Sequence, residues 1–426
     1  MLKFGRSKDR LNEGHQSQAV DRTVDLMFNW FCEEINILPK RLTMNIKLFQ
    51  IGFLVFLLSN TVQSETLKES FSDHFLMGTI WHGNKLGSNK NNTFLKQEKR
   101  IISSEFNAIT AENAMKPRQT QPREGVFTFK ESDEMVAFAE AHNLTIIGHT
   151  LVWKNSAPDW FFVDKKGGRV SRDELIKRMK THIKTVMGRY KGRIKYWDVV
   201  NEAIETKRIK GEKGFEAFFK PSPWLDIIGP EYIEIAYRTA READPSAKLL
   251  YNDYNLDQEA KLDFALNMIM DLKSRGVDIH GLGYQGHLFI DEPTLDSIER
   301  VFINSKNVNI PVHVTELDVS VLPNGWKHRT ASVEERFKLS AKYNPYPKGA
   351  PEEVLKNQAA RYADIFKIFV NYSDIIERVT FWGVWDGNSW RDYRPMLGRT
   401  DYPLLIGREF EKKPAYNSVI QTAKSQ

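Results

Sequence analysis

The 426-residue chain contains a single cysteine, Cys32. That excludes an intrachain disulfide framework and any cysteine-rich metal site. No hydrophobic run approaches the ~20 residues a membrane-spanning helix needs. Lysine and arginine number 61 against 55 aspartates and glutamates. That even balance, with no basic block, excludes the usual footprint of a nucleic-acid binder or an anionic-membrane binder. No H-E-x-x-H, G-x-S-x-G elbow, P-loop or dinucleotide fingerprint occurs in context. Chemistry performed by this chain is therefore expected to rest on side chains alone, with no metal and no cofactor.

The most apolar run, Leu48 to Leu58, follows Met44-Asn-Ile-Lys47 and precedes Val62-Gln-Ser64. A short basic start, an apolar centre and a small-residue cut site make a secretory signal peptide over residues 44–64. Such a signal belongs at the very N-terminus, so residues 1–43 read as an over-extended start and Met44 as the true one. The mature chain would begin at Glu65, lack cysteine, and be secreted or periplasmic with no stable membrane anchor. No linker, repeat or low-complexity tract interrupts residues 65–426, which read as one catalytic domain.

Eight short apolar, β-rich runs recur there: Phe75–Ile80, Phe106–Asn113, Thr145–Trp153, Tyr196–Glu202, Lys248–Asn255, His280–His287, Pro311–Asp318 and Val379–Val384. Helical text lies between them. The clearest stretch is Ser171–Tyr190, which opens with Ser171 and Glu174 in capping-box spacing. Its residues Leu175, Met179, Ile183, Val186 and Met187 fall on one face, and Gly192 follows as a stop. Alternating strands and helices predict a parallel sheet, and eight such units predict an α/β fold closed as a (β/α)8 barrel.

The runs start apolar and end polar, in Glu112-Asn113, Asn201-Glu202, Asn252-Asp-Tyr-Asn255, Gln285-Gly-His287 and Glu316-Leu-Asp318. In a parallel barrel these ends converge on one face, where active sites lie. Glu202 and Glu316 each close an apolar run, so burial can tune both. Hydrolysis of a glycosidic bond needs such a pair: one carboxyl protonated, the other ionised. A chain Asp318–His287–Glu316 would keep Glu316 in place and ionised. Glu112, with Asn113 beside it, reads better as a binder of sugar hydroxyls than as a structural partner of Lys116.

Trp197-Asp-Val-Val-Asn-Glu202, with Thr315-Glu-Leu-Asp318 further on, resembles glycoside hydrolase family 10, the endo-β-1,4-xylanases. The resemblance continues through Glu112-Asn-Ala-Met-Lys116, Gly148-His-Thr-Leu-Val-Trp153, Tyr251-Asn-Asp-Tyr-Asn255, Gln285-Gly-His287, and Phe381-Trp-Gly-Val384 with Ser389-Trp390. It spans roughly Gly78 to Pro414. It implies internal cleavage of xylan by retaining double displacement, with Glu202 as acid/base and Glu316 as nucleophile. It further implies that Asn201 binds the sugar 2-hydroxyl. Glu112, Asn113, Lys116, His149, Trp153, Gln285, Trp382 and Trp390 would wall the glycone side, and Tyr254 would contact the aglycone. The implied partner is the polysaccharide, met by a monomer. The main rival is a β-1,4-glucanase, or a mixed xylanase/glucanase, of the same clan.

One stretch departs from the family pattern. After Trp153 the family usually has His, a small polar residue, then Gln or Asn; here Lys154-Asn155-Ser156 stand. The family's amide at the last position helps exclude the hydroxymethyl group that glucose has and xylose lacks. The shorter Ser156 predicts greater tolerance of glucosides. Ser156→Gln should therefore raise the rate ratio of aryl xylobioside to aryl cellobioside. An unchanged ratio would count against this.

Overall fold

Between Leu76 and Phe381 the strand runs pair in parallel and in order. The computed structural model describes residues 65–83, 93–210, 214–326 and 336–424. The expected signal peptide over residues 44–64, the expected start at Met44, and Cys32 lie outside the described residues.

The barrel strands are β1 (Leu76–Trp81), β2 (Ala108–Ala111), β3 (Thr145–Val152) and β4 (Tyr196–Asn201). A hairpin follows, β5 (Ile204–Arg208) with antiparallel β6 (Phe215–Phe219). Then come β7 (Lys248–Asp253), β8 (Gly281–Tyr284), the short β9 (His287–Phe289), β10 (Val312–Ser320) and β11 (Ile376–Phe381). Neighbours run β11-β1-β2-β3-β4-β7-β8-β10, and β10 pairs with β11 to close the ring. Eight parallel strands with helices between them make a (β/α)8 barrel.

The strands are buried on both faces, which is why they read as near-continuous apolar runs. Outward residues such as Trp197, Val379 and Phe381 join the large core shared with the helices. Inward residues Ala108, Ile147, Tyr196 and Leu250 form a separate small cluster inside the ring. The long crossover helix spans Arg172–Arg189, with Ser171 as N-cap accepting from the Glu174 amide. Its buried face includes the predicted Leu175, Met179, Ile183, Val186 and Met187.

Several boundaries move, each for a local reason. The eighth strand starts at Ile376, three residues before the predicted Val379. Arg378 interrupts the apolar text, yet it points into the barrel and is fully buried. The predicted sixth strand divides into β8 and β9, because Gly286 between them takes φ +74°. The β5–β6 hairpin was not expected from the apolar runs. Its strands are only half-buried and carry charge, so they lack the signature of a barrel strand.

Candidate active site

The C-terminal strand ends bring the predicted residues to one face. Register shifts occur on β4 between Asp198 and Val200 and on β10 between Val314 and Leu317. The second shift brackets Thr315-Glu316, and such bulges re-aim side chains beside functional sites. Glu202, just past β4, holds φ +56° and donates its amide to the Asn252 carbonyl at 2.9 Å. A non-glycine residue in that conformation persists only where its surroundings fix it.

Glu316 is buried and held at both oxygens. Oε1 accepts from Asn252 Nδ2 at 2.8 Å, and Oε2 lies 3.2 Å from His287 Nε2. His287 Nδ1 lies 3.1 Å from Asp318 Oδ1. Asp318 accepts in turn from Arg391 Nη2 at 2.7 Å and Trp390 Nε1 at 2.8 Å. The β9–β10 register sets His287 directly opposite Asp318.

Burial would lower the His287 pKa, but Asp318 and Glu316 override it and push it up to about 9. Burial would raise Asp318, but Arg391 and His287 hold it down at about 2. For Glu316, burial is opposed by the His287 hydrogen bond, by the fields of His149 and His287, and by Asn252. The carboxyl ends below its ordinary range. It is therefore ionised at neutral pH.

Glu202 has different company. Oε2 accepts from Trp153 Nε1 at 2.8 Å and lies 3.8 Å from Lys220 Nζ. Oε1 accepts from Gln285 Nε2 at 3.2 Å and Asn201 Nδ2 at 3.4 Å. Two bridges tie the carboxylates together. Asn252 Nδ2 donates to both Glu316 Oε1 and Asn201 Oδ1. Gln285 reaches Glu202 with its side chain, while its carbonyl accepts the Glu316 amide at 2.8 Å. Gly283 leaves room for this: a Cβ there would come within 2.5 Å of Asn252 Oδ1.

A cleft of about 400 Å³ adjoins the pair, lined by Glu112, Asn113, Lys116, Trp153, Trp382 and Trp390 among others. Lys116 donates to Asn113 Oδ1 at 3.1 Å and sits over the Trp153 ring. His149 meets Trp382 edge-on, with ring centroids 5.3 Å apart, and its Nδ1 lies 2.9 Å from Asp198 Oδ2. Ser156 lines the same cleft. Tyr254 stands apart, almost fully buried, donating its hydroxyl to Glu205 Oε2 and accepting from Lys220 Nζ. Trp385 packs against Phe410 and Phe94 rather than facing the cleft. Among the described residues, no group of three or more His, Cys, Asp or Glu is arranged to hold a metal.

Sequence reasoning missed Asn252, Asp198, Lys220 and Arg391. Asn252 lay within a recognised strand-end motif and was legible in principle. Arg391 and Lys220 come from loops, with no pattern to mark them. Asn155 also lines the cleft, and its Nδ2 is buried without a hydrogen-bond partner.

A parallel barrel with two linked, buried carboxylates at the C-terminal ends of its fourth and seventh strands is the site of a carboxylate-dependent glycosidase. The chain matches the profile of glycosyl hydrolase family 10 over residues 66–422, and it belongs to that family. It is 37% identical over 374 residues to endo-1,4-beta-xylanase A of Xylanibacter ruminicola, covering 88% of this chain and 98% of that protein. Identity to endo-1,4-beta-xylanase B of Paenibacillus barcinonensis is 38%, covering 79% and 94%. A solved GH10 endoxylanase retrieved from a sugarcane soil metagenome superposes with a TM-score of 0.77 at 41% identity, covering 83% and 99%.

The His287 environment fixes a pH window. Its folded pKa lies above the unfolded value near 6.5, so its stabilisation is complete below about pH 6.5 and is lost as pH rises through about 9. The stability gap between wild type and His287→Asn, measured by urea unfolding, should shrink across that window. A gap that stays constant to pH 10 would refute the assignment.

Proposed function

We infer that the protein is an endo-β-1,4-xylanase that cleaves internal xylosidic bonds with retention. The carrying observation is the asymmetry of the carboxylate pair. Glu316 is clamped by Asn252 and a protonated His287 and held ionised. Glu202 is surrounded by Trp153, Gln285 and Asn201, with Lys220 Nζ 3.8 Å away. Retention is general in this family, and the relatives' names favour xylan over β-1,4-glucan.

On this reading, Glu202 donates a proton to the leaving oxygen as Glu316 Oε attacks the anomeric carbon. The C–O bond to the aglycone breaks and a glycosyl ester forms on Glu316. Glu202, now ionised, takes a proton from water, whose oxygen attacks the same carbon and releases Glu316. Asn201, oriented by Asn252, binds the 2-hydroxyl, a contact that strengthens as positive charge develops. Trp382 and Trp390 offer apolar faces to the sugar rings. His287 and Asp318 keep Glu316 ionised without touching the substrate.

Glu316→Ala and Glu202→Ala should each lower xylan hydrolysis by roughly 10⁴-fold, as for other residues acting as a catalytic unit. Azide should rescue Glu202→Ala on an activated aryl xylobioside and give the β-glycosyl azide. With Glu316→Ala, rescue should give the α-product. Near-normal rates in either variant would overturn the roles.

We further propose that residues 44–64 direct the protein out of the cytoplasm and that it acts as a monomer. Mass spectrometry of the protein from its native host should find Glu65 at the N-terminus. An intact Met1 would overturn secretion through the 44–64 signal.

A further inference from the structure

The cleft carries more positive charge than a neutral polysaccharide needs. Lys116, Arg118 and Arg394 line it, and Glu112 is the carboxylate that lines it with them. Lys116 is engaged with Asn113 and the Trp153 ring. The two arginines are not committed in that way. Arg118 makes one long contact, from Nη2 to the Ala157 carbonyl at 3.5 Å. That contact ties it to the Lys154–Ser156 turn. Arg394 follows the Trp390 turn, where its amide donates to the Trp390 carbonyl at 3.1 Å. Neither guanidinium is ion-paired to a carboxylate among the described residues, whereas Arg391 and Arg408 nearby are paired with Asp318 and Asp392. The loop thus separates arginines that hold its structure from one whose charge faces the cleft.

The arginines come from different loops, after β2 and after β11, on either side of β1 in the barrel order. A guanidinium presents a planar fork of donors that matches a carboxylate in two parallel hydrogen bonds. A polyanion does not suit the cleft, because Glu202 and Glu316 at its inner end would repel it. An isolated carboxylate carried on a neutral sugar backbone suits both ends at once.

We propose that Arg118 and Arg394 form a subsite for the carboxylate of a uronosyl side group on the polysaccharide. This rests on the xylanase reading and on the cleft being the glycone side. Asn155 lines the same cleft, and its amide is a buried donor without a hydrogen-bond partner. The subsite sets which decorated chains are cut fastest and takes no part in bond cleavage.

The test compares glucuronoxylan with the same polysaccharide after chemical reduction of its carboxyl groups, which removes charge and keeps the side sugar. Wild type should favour the acidic form in kcat/KM by about 3- to 10-fold at low ionic strength, the range of one or two partly exposed ion pairs. The preference should shrink in about 0.5 M salt. In R118Q/R394Q the ratio should fall to about 1, and R118K/R394K should keep part of it. A wild-type ratio near 1, or an unchanged ratio in R118Q/R394Q, overturns the subsite while leaving the xylanase reading intact. Failure of wild type to cut linear, undecorated xylan overturns the xylanase reading itself, and the subsite with it.

Discussion

Arg391, Asp318, His287 and Glu316 form a buried row of alternating charge, and the site depends on it. Each charge would be costly alone, since removing an ion from water without a partner costs several kcal/mol. In sequence, each offsets the next. Arg391 holds Asp318 ionised, Asp318 keeps His287 protonated, and His287 keeps Glu316 below the ordinary carboxylate range. The order also makes Glu316 differ from Glu202, which faces Lys220 Nζ at 3.8 Å and the Trp153 indole rather than an imidazolium. A carboxylate pair becomes an acid and a nucleophile only when its environments differ.

The barrel supplies the geometry for that row. Parallel strands bring side chains distant in sequence to one rim, and small irregularities then aim them. The β10 bulge spans Glu316, the short β9 sets His287 against Asp318, and Gly283 lets Asn252 approach Thr315 and Glu316. Beneath the rim, Asp198 holds His149 while buried Arg378 lies 4.0 Å from its other oxygen. The polar floor of the site thus extends into the barrel interior, between the catalytic rim and the apolar plug of Ala108, Ile147, Tyr196 and Leu250.

The two ends of the site follow different chemistry. Near the scissile bond, the side chains are fixed by mutual hydrogen bonds and are mostly buried. Farther along the cleft, Trp390 and Arg394 are only half-buried and Arg118 is exposed, as suits a polymer whose decoration varies along its length. Loops tolerate such variation because they do not define the barrel.

The sequence by itself determined the fold class, the identity of the two carboxylates and the motif residues around them. Strands buried on both faces must read as apolar runs, and residues closing those runs must meet at one rim, so Glu202, Glu316, His287 and Asp318 were legible before any coordinates. Only the tertiary structure decided what each carboxylate is paired with. Arg391 and Lys220 arrive from loops with no periodicity, Arg378 disguised the start of the last strand, and Tyr254 turned inward to Glu205. Hydrogen-bond partners are chosen by distances across the closed ring, and no local pattern in a chain encodes which distant loop will close over a given charge.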